Sequence, residues 1–169
     1  MKKKHIFHLA SIFFLISLTY TSISIVHSDA DIIYIRSDGA LDPPSAPITT
    51  NDGYTFYLTS DTQAAIWIQK DHVTLDGNYH TLSGTLSESG IRIIDRTNVT
   101  IKNLVIKVFR QGIDIGYSTN CTITNNHITN NNLRGIILIE SQNNRILDNH
   151  IVNTAYDGIW IRSYSNNNT

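Results

Sequence analysis

The chain has 169 residues, 41% hydrophobic and 16% charged, with a formal net charge of -1. That length allows one domain or at most two. The near-neutral balance excludes the basic stripe that nucleic-acid binding needs, and the single cysteine, Cys121, excludes an intramolecular disulfide.

Lys2, Lys3 and Lys4 precede an apolar run from Ile6 to about Ile25, and Ser28-Asp29-Ala30 then supplies small residues for a cleavage site. A basic head, apolar middle and small-residue exit read as a secretory signal peptide over residues 1–30. The alternative is an uncleaved anchor, the only membrane contact the sequence suggests. Either way the remainder is expected to be secreted, extracellular, cell-surface or periplasmic. Removing Lys2, Lys3, Lys4 and Asp29 leaves 10 Lys+Arg against 13 Asp+Glu, a net of -3.

Residues 31–64 read as an N-terminal cap. Asp31–Ile35 and Tyr54–Leu58 are strand-like, Ser37-Asp38-Gly39 and Asn51-Asp52-Gly53 are turns, and the prolines at 43, 44 and 47 forbid a helix or central strand between them. A solenoid needs such an irregular end to block edge-to-edge growth. The first coil is expected to start near Ala65-Ile66-Trp67-Ile68 and to continue through Val73–Gly77 and Tyr79–Gly84.

From Gly90 the chain repeats. Gly90, Gly112, Gly135 and Gly158 each open a Gly-Ile unit, at intervals of 22, 23 and 23 residues. Inside each unit follow Asn98–Ile101, Asn120–Ile123 and Asn143–Ile146, and then an isoleucine at 106, 128 and 151. A fixed period of this size marks a solenoid. The runs are β-branched and alternate with period 2, and the breaks are Asn, Gly, Ser and Asp. One coil of three short strands and three tight turns fits, giving a single-stranded parallel β-helix of about four and a half coils over residues 65–169. Leucine is too sparse for a leucine-rich repeat. Parallel stacking also aligns side-chain amides, and Asn126 and Asn149 are the expected asparagine ladder. Cys121 takes the place of Val99 and is expected to face inward as a small apolar residue. Ser165–Thr169 repeats the approach to Ile146 and stops short of the isoleucine, so the last coil is expected to be completed by further β-helix coils or covered by a partner.

The order Asp38–Leu41, Tyr54–Leu58, Val73–Asn78, Thr81–Gly84 and then the Gly-Ile and Asn-x-x-Ile-x-x-Asn units resembles the NosD-like right-handed β-helix proteins, over roughly residues 32–169. That group sits within the larger carbohydrate-binding and sugar-hydrolase β-helix class. The resemblance implies a right-handed, exported solenoid. It extends to copper-site maturation accessories and surface-layer-associated proteins, and fold alone does not choose among them.

Four groups of residues are candidates for function. The outward position of the Gly-Ile strand holds Trp67, Arg92, Asp114, Ile137 and Trp160, which parallel stacking places in one column, the tryptophans about 19 Å apart. Exposed rings for sugar CH faces, with Arg92 and Asp114 for hydroxyls or carboxylates, suit a polysaccharide or cell-surface glycan; the alternative is a solvated face with a weak ion pair. His127 and His150 occupy equivalent outward positions and point to copper or zinc, although a metal site needs three or four ligands. The carboxylates Asp76, Asp95, Asp114, Glu140, Asp148 and Asp157 show no pairing of the kind glycoside hydrolysis needs, so the catalytic residues of a lyase or hydrolase would lie partly beyond Thr169. Asn98, Asn120 and Asn167 begin N-glycosylation sequons. The reading that results is an exported scaffold or carbohydrate-binding surface, with a polysaccharide lyase or glycoside hydrolase and a NosD-like copper accessory as alternatives.

Overall fold

Alternating isoleucines and a left-handed residue at each corner shape the coil. The computed structural model describes residues 31–169, which form seventeen strands and no helix; the signal-peptide reading of residues 1–30 lies outside the described residues. One coil is β11 (Gln111–Gly116), β12 (Thr122–Thr124) and β13 (His127–Thr129). Each strand joins a different sheet, and each pairs in parallel with its equivalents in the coils before and after.

The largest sheet has the order β17 (Ile159–Arg162), β14 (Arg134–Ile139), β11, β8 (Ser89–Ile94), β5 (Ala64–Ile68), β1 (Asp31–Ile35) and β2 (Leu41–Asp42). The second runs β15 (Arg145–Leu147), β12, β9 (Thr100–Lys102), β6 (Thr74–Asp76), β4 (Thr55–Leu58) and β3 (Ile48–Thr50). The third is β16 (His150–Val152), β13, β10 (Val105–Lys107) and β7 (Thr81–Ser83). The parallel β-helix expected from the repeat is therefore present, with about five turns. The extra part comes from β1 and β4, which extend the coil stack by pairing in parallel with β5 and β6. Antiparallel β2 and β3 close the first edges of the two sheets.

The core is a set of isoleucine stacks. Ile66, Ile91, Ile113 and Ile136 form one, and Leu75, Ile101 and Ile123 another; all are fully buried. Each such side chain contributes about 1.5–3 kcal/mol. Cys121 is buried in line with Val99, and burial pushes its thiol pKa up. Asn126, only 2% exposed, donates from Nδ2 to Asn149 Oδ1 at 2.9 Å and accepts the Leu104 amide at 3.1 Å. A second ladder, Asn144 to Asn168 at 3.0 Å, stands at another corner. Internal amides thus satisfy corner backbone groups that no strand reaches.

Among the described residues nineteen non-glycine residues have positive φ, and nine are asparagines. Asn tolerates the left-handed region better than most residues. Asn98, Asn120, Asn143 and Asn167 hold one corner, and Val108, Asn130 and Asn153 another. Val108, at φ 61°, is β-branched where its neighbours are Asn. Val108→Asn is expected to stabilise the fold by about 0.5–1 kcal/mol, read as a higher urea midpoint; a lower midpoint would show that its side-chain packing outweighs backbone strain.

Candidate functional site

The outward column of the largest sheet runs Tyr34, Trp67, Arg92, Asp114, Ile137 and Trp160, each in register with the next. Tyr34 extends the column expected from sequence because β1 adds a strand to the sheet. The rings are less bare than the sequence suggests. The Arg92 guanidinium lies 4.8 Å from the Trp67 ring centre, and Tyr34 meets the same ring edge-on at 5.5 Å. Arg134 covers Trp160 at 3.7 Å and is held by Asp157 at 3.1 Å. The reason is attraction between a guanidinium and an aromatic face when strand stacking brings them together.

Arg92 Nε lies 3.8 Å from Asp114 Oδ2, too long for a hydrogen bond. Burial raises the Asp114 carboxyl pKa, against the opposing charges of Arg92 and Arg110. A carboxyl with a raised pKa in the fold gives its stabilisation below the ordinary carboxylate range. That contribution is lost as pH rises through the folded value. Asp114→Asn is expected to remove this loss, so the variant's melting temperature rises relative to wild type more at neutral than at acid pH; a difference from wild type that is the same at both would mean that Asp114 is not the group responsible.

Two depressions meet at Arg92. One, of about 270 Å³, is lined by Trp67, Ile68, Gln69, Arg92, Ile94 and Arg96. The other, of about 160 Å³, is lined among others by Glu88, Ser89, Arg92, Arg110, Gln111 and Asp114. Four buried side-chain polar atoms lack a hydrogen-bond partner among the described residues: Trp67 Nε1, Arg92 Nε, Gln111 Oε1 and Asn131 Nδ2. Three of them belong to residues that line these depressions. Glu88 and Gln111 were not singled out by sequence; Glu88 ends the loop after β7, and Gln111 opens β11.

His127 and His150 pair in register on the third sheet, their rings stacked at 4.9 Å with 13° between planes. Among the other candidates, Asp76 pairs with Lys102 at 3.2 Å and Asp95 with Arg96 at 3.6 Å. Asn98, Asn120 and Asn167 are exposed corner residues with positive φ.

The family described as "Periplasmic copper-binding protein (NosD)" matches residues 22–169. The chain belongs to this family. No curated protein matches it, and no solved structure does. The match takes in every described residue, so the strands of residues 31–64 fall within it along with the repeats.

The family's description calls for a test of copper. Among the described residues no group of three or more His, Cys, Asp or Glu is placed to hold a metal ion. The lone pairs of an imidazole lie in the ring plane. Two stacked, nearly parallel rings therefore aim their nitrogens side by side rather than at one point. On their own, His127 and His150 do not fit a resident copper ion.

Proposed function

We propose that this NosD-family β-helix acts outside the cytoplasm as a non-catalytic carbohydrate-binding surface centred on Arg92. The observation that carries this reading is that three residues lining two open depressions, Trp67, Arg92 and Gln111, each keep a buried polar atom, Nε1, Nε and Oε1, without a partner. Native proteins leave few such atoms unpaired. A sugar supplies what the site lacks, an apolar CH face for the indole and hydroxyls for the polar groups. The family's periplasmic description and the basic, apolar start of the chain support an envelope location.

The test is retention on immobilised polysaccharides, wild type beside Trp67→Ala/Arg92→Ala, with the eluate assayed for shortened or unsaturated sugars. Retention that is lost in the double variant, without product, is the expected result. Product would make the protein an enzyme and direct attention to Glu88 and Asp114. No retention of the folded wild type would overturn the reading.

Copper handling is the second reading, favoured by the family's description and by the in-register histidine pair. The pair would need ligands from outside the described residues. Stoichiometric copper uptake that vanishes in His127→Ala/His150→Ala would carry it; equal uptake by both proteins would end it.

A further inference from the structure

We infer that the ligand is a short, neutral, hydroxyl-rich oligosaccharide lying along β8, transverse to the solenoid axis, rather than a polymer running up the column from Trp67 to Trp160. This rests on the carbohydrate reading above and specifies its ligand and path.

The placement of the depressions sets the direction. Relative to Arg92, the larger one extends toward Ile94 and Arg96, past the C-terminal end of β8. The smaller one extends toward Glu88 and Ser89, at its N-terminal end. Ser89 to Ile94 cover roughly 17 Å of extended chain, so the two hollows are arranged along the strand. They also differ in character. Trp67, Ile68 and Ile94 give the first an apolar floor, whereas Glu88, Ser89, Arg110, Gln111 and Asp114 make the second polar. A sugar ring with one CH face and a hydroxyl edge matches that division.

The path up the column is closed by comparison. Beyond Arg92 come Asp114, whose side chain is 17% exposed, and Ile137, at 4%. Beyond them, Trp160 is covered by an Arg134 that Asp157 holds in place. Arg92 is the looser of the two guanidinium covers. It stands farther from its ring than Arg134 does and makes no hydrogen bond to Asp114. Drawing Arg92 away from Trp67 costs one weak ion pair and one cation–π contact, each about 1 kcal/mol or less at a partly exposed site.

The unpaired atoms set the class of ligand. Trp67 Nε1 and Arg92 Nε are donors, and Gln111 Oε1 is an acceptor. A hydroxyl answers both kinds, whereas a carboxylate or sulfate only accepts. Charge agrees. The cations at the two hollows, Arg92, Arg96 and Arg110, are accompanied by Asp71, Glu88, Asp95 and Asp114, which leaves no positive surplus to hold a polyanion.

The experiment is calorimetric titration of the full chain with neutral gluco-, manno- and N-acetylglucosamine oligosaccharides of increasing length, beside oligogalacturonates. Melting curves check that each variant is folded. The expected result is binding of a neutral series whose affinity stops rising at short length. Trp67→Ala and Gln111→Ala each weaken it about tenfold, while Trp160→Ala leaves it within a factor of about two. Equal losses from Trp67→Ala and Trp160→Ala, or affinity that climbs with length toward the span of the two tryptophans, would overturn the transverse path and leave the carbohydrate reading standing. Binding of oligogalacturonates alone would overturn the neutral ligand. Binding of no sugar by the folded protein would remove the carbohydrate reading itself.

Discussion

Ile123→Asp is expected to abolish cooperative unfolding of the solenoid. Ile123 sits at the middle of β12, fully buried, in register with Ile101 in the coil before and Ile146 in the coil after. Losing the buried side chain removes about 1.5–3 kcal/mol. The carboxylate that replaces it faces stacked isoleucines with no cation, and an uncompensated buried charge costs several kcal/mol more unless it takes up a proton. Together these approach the roughly 5–15 kcal/mol that holds an ordinary domain folded. In a solenoid each coil leans mainly on its two neighbours, so the damage divides the stack at this coil. Circular dichroism on heating should show the single transition broadened or split. Thr122→Asp is the control: its side chain points out of the same strand, and it should change stability by about 0.5 kcal/mol or less. A melting transition like that of the wild type for Ile123→Asp would mean that the register of the isoleucine stacks is wrong.

Those stacks were legible in the sequence for the same reason that they are strong. With a 22- or 23-residue period and strands of period 2, the isoleucines leave one inward register, and the outward column through Arg92 and Asp114 follows from it. Asparagine at the corners was legible as turn chemistry, and the Asn126–Asn149 pair as a consequence of stacking. The candidate site was only partly visible. Tyr34 lies before the repeat and reaches the column through β1. The guanidinium covers of Trp67 and Trp160 depend on which way long side chains turn, a choice that the strand register does not make. Glu88 reaches the polar cleft from a loop that breaks the period. Ile91 follows Leu82 by nine positions, against seven from Ile106 to Ile113 and eight from Ile128 to Ile136. Repeat logic predicts what repeats, and the polar hollow draws on a loop whose spacing departs from the repeat. The histidine pair shows the opposite limit. Register placed the two residues side by side, but not the parallel rings that turn their nitrogens away from a common point.

The glycines that open each coil carry the second large effect, and they distinguish close approach from mere turn chemistry. None of Gly90, Gly112, Gly135 and Gly158 is a positive-φ glycine; what Gly90, Gly112 and Gly135 share is a lack of room for a Cβ. A Cβ on Gly112 would lie 2.5 Å from the Gly135 carbonyl oxygen and 2.5 Å from Ile128 Cγ2. The first neighbour is backbone of the next coil, so it cannot move aside without opening the β11–β14 ladder. The second is a buried isoleucine packed into the notch that the missing side chain leaves. Gly112→Ala should therefore cost about 3 kcal/mol, at the upper end of ordinary overpacking, and Gly112→Val should cost more. Gly158→Ala supplies the internal comparison, because a Cβ there would meet only Ile151 Cγ2, at 3.7 Å, an ordinary contact. It should shift the urea midpoint little. The contrast separates the two explanations: a general loss of glycine flexibility acts on the unfolded chain and would affect both alanine variants alike, whereas contact between adjacent coils penalises Gly112→Ala alone. Equal midpoints for the two variants would show that the coils do not approach as closely at Gly112 as the geometry requires.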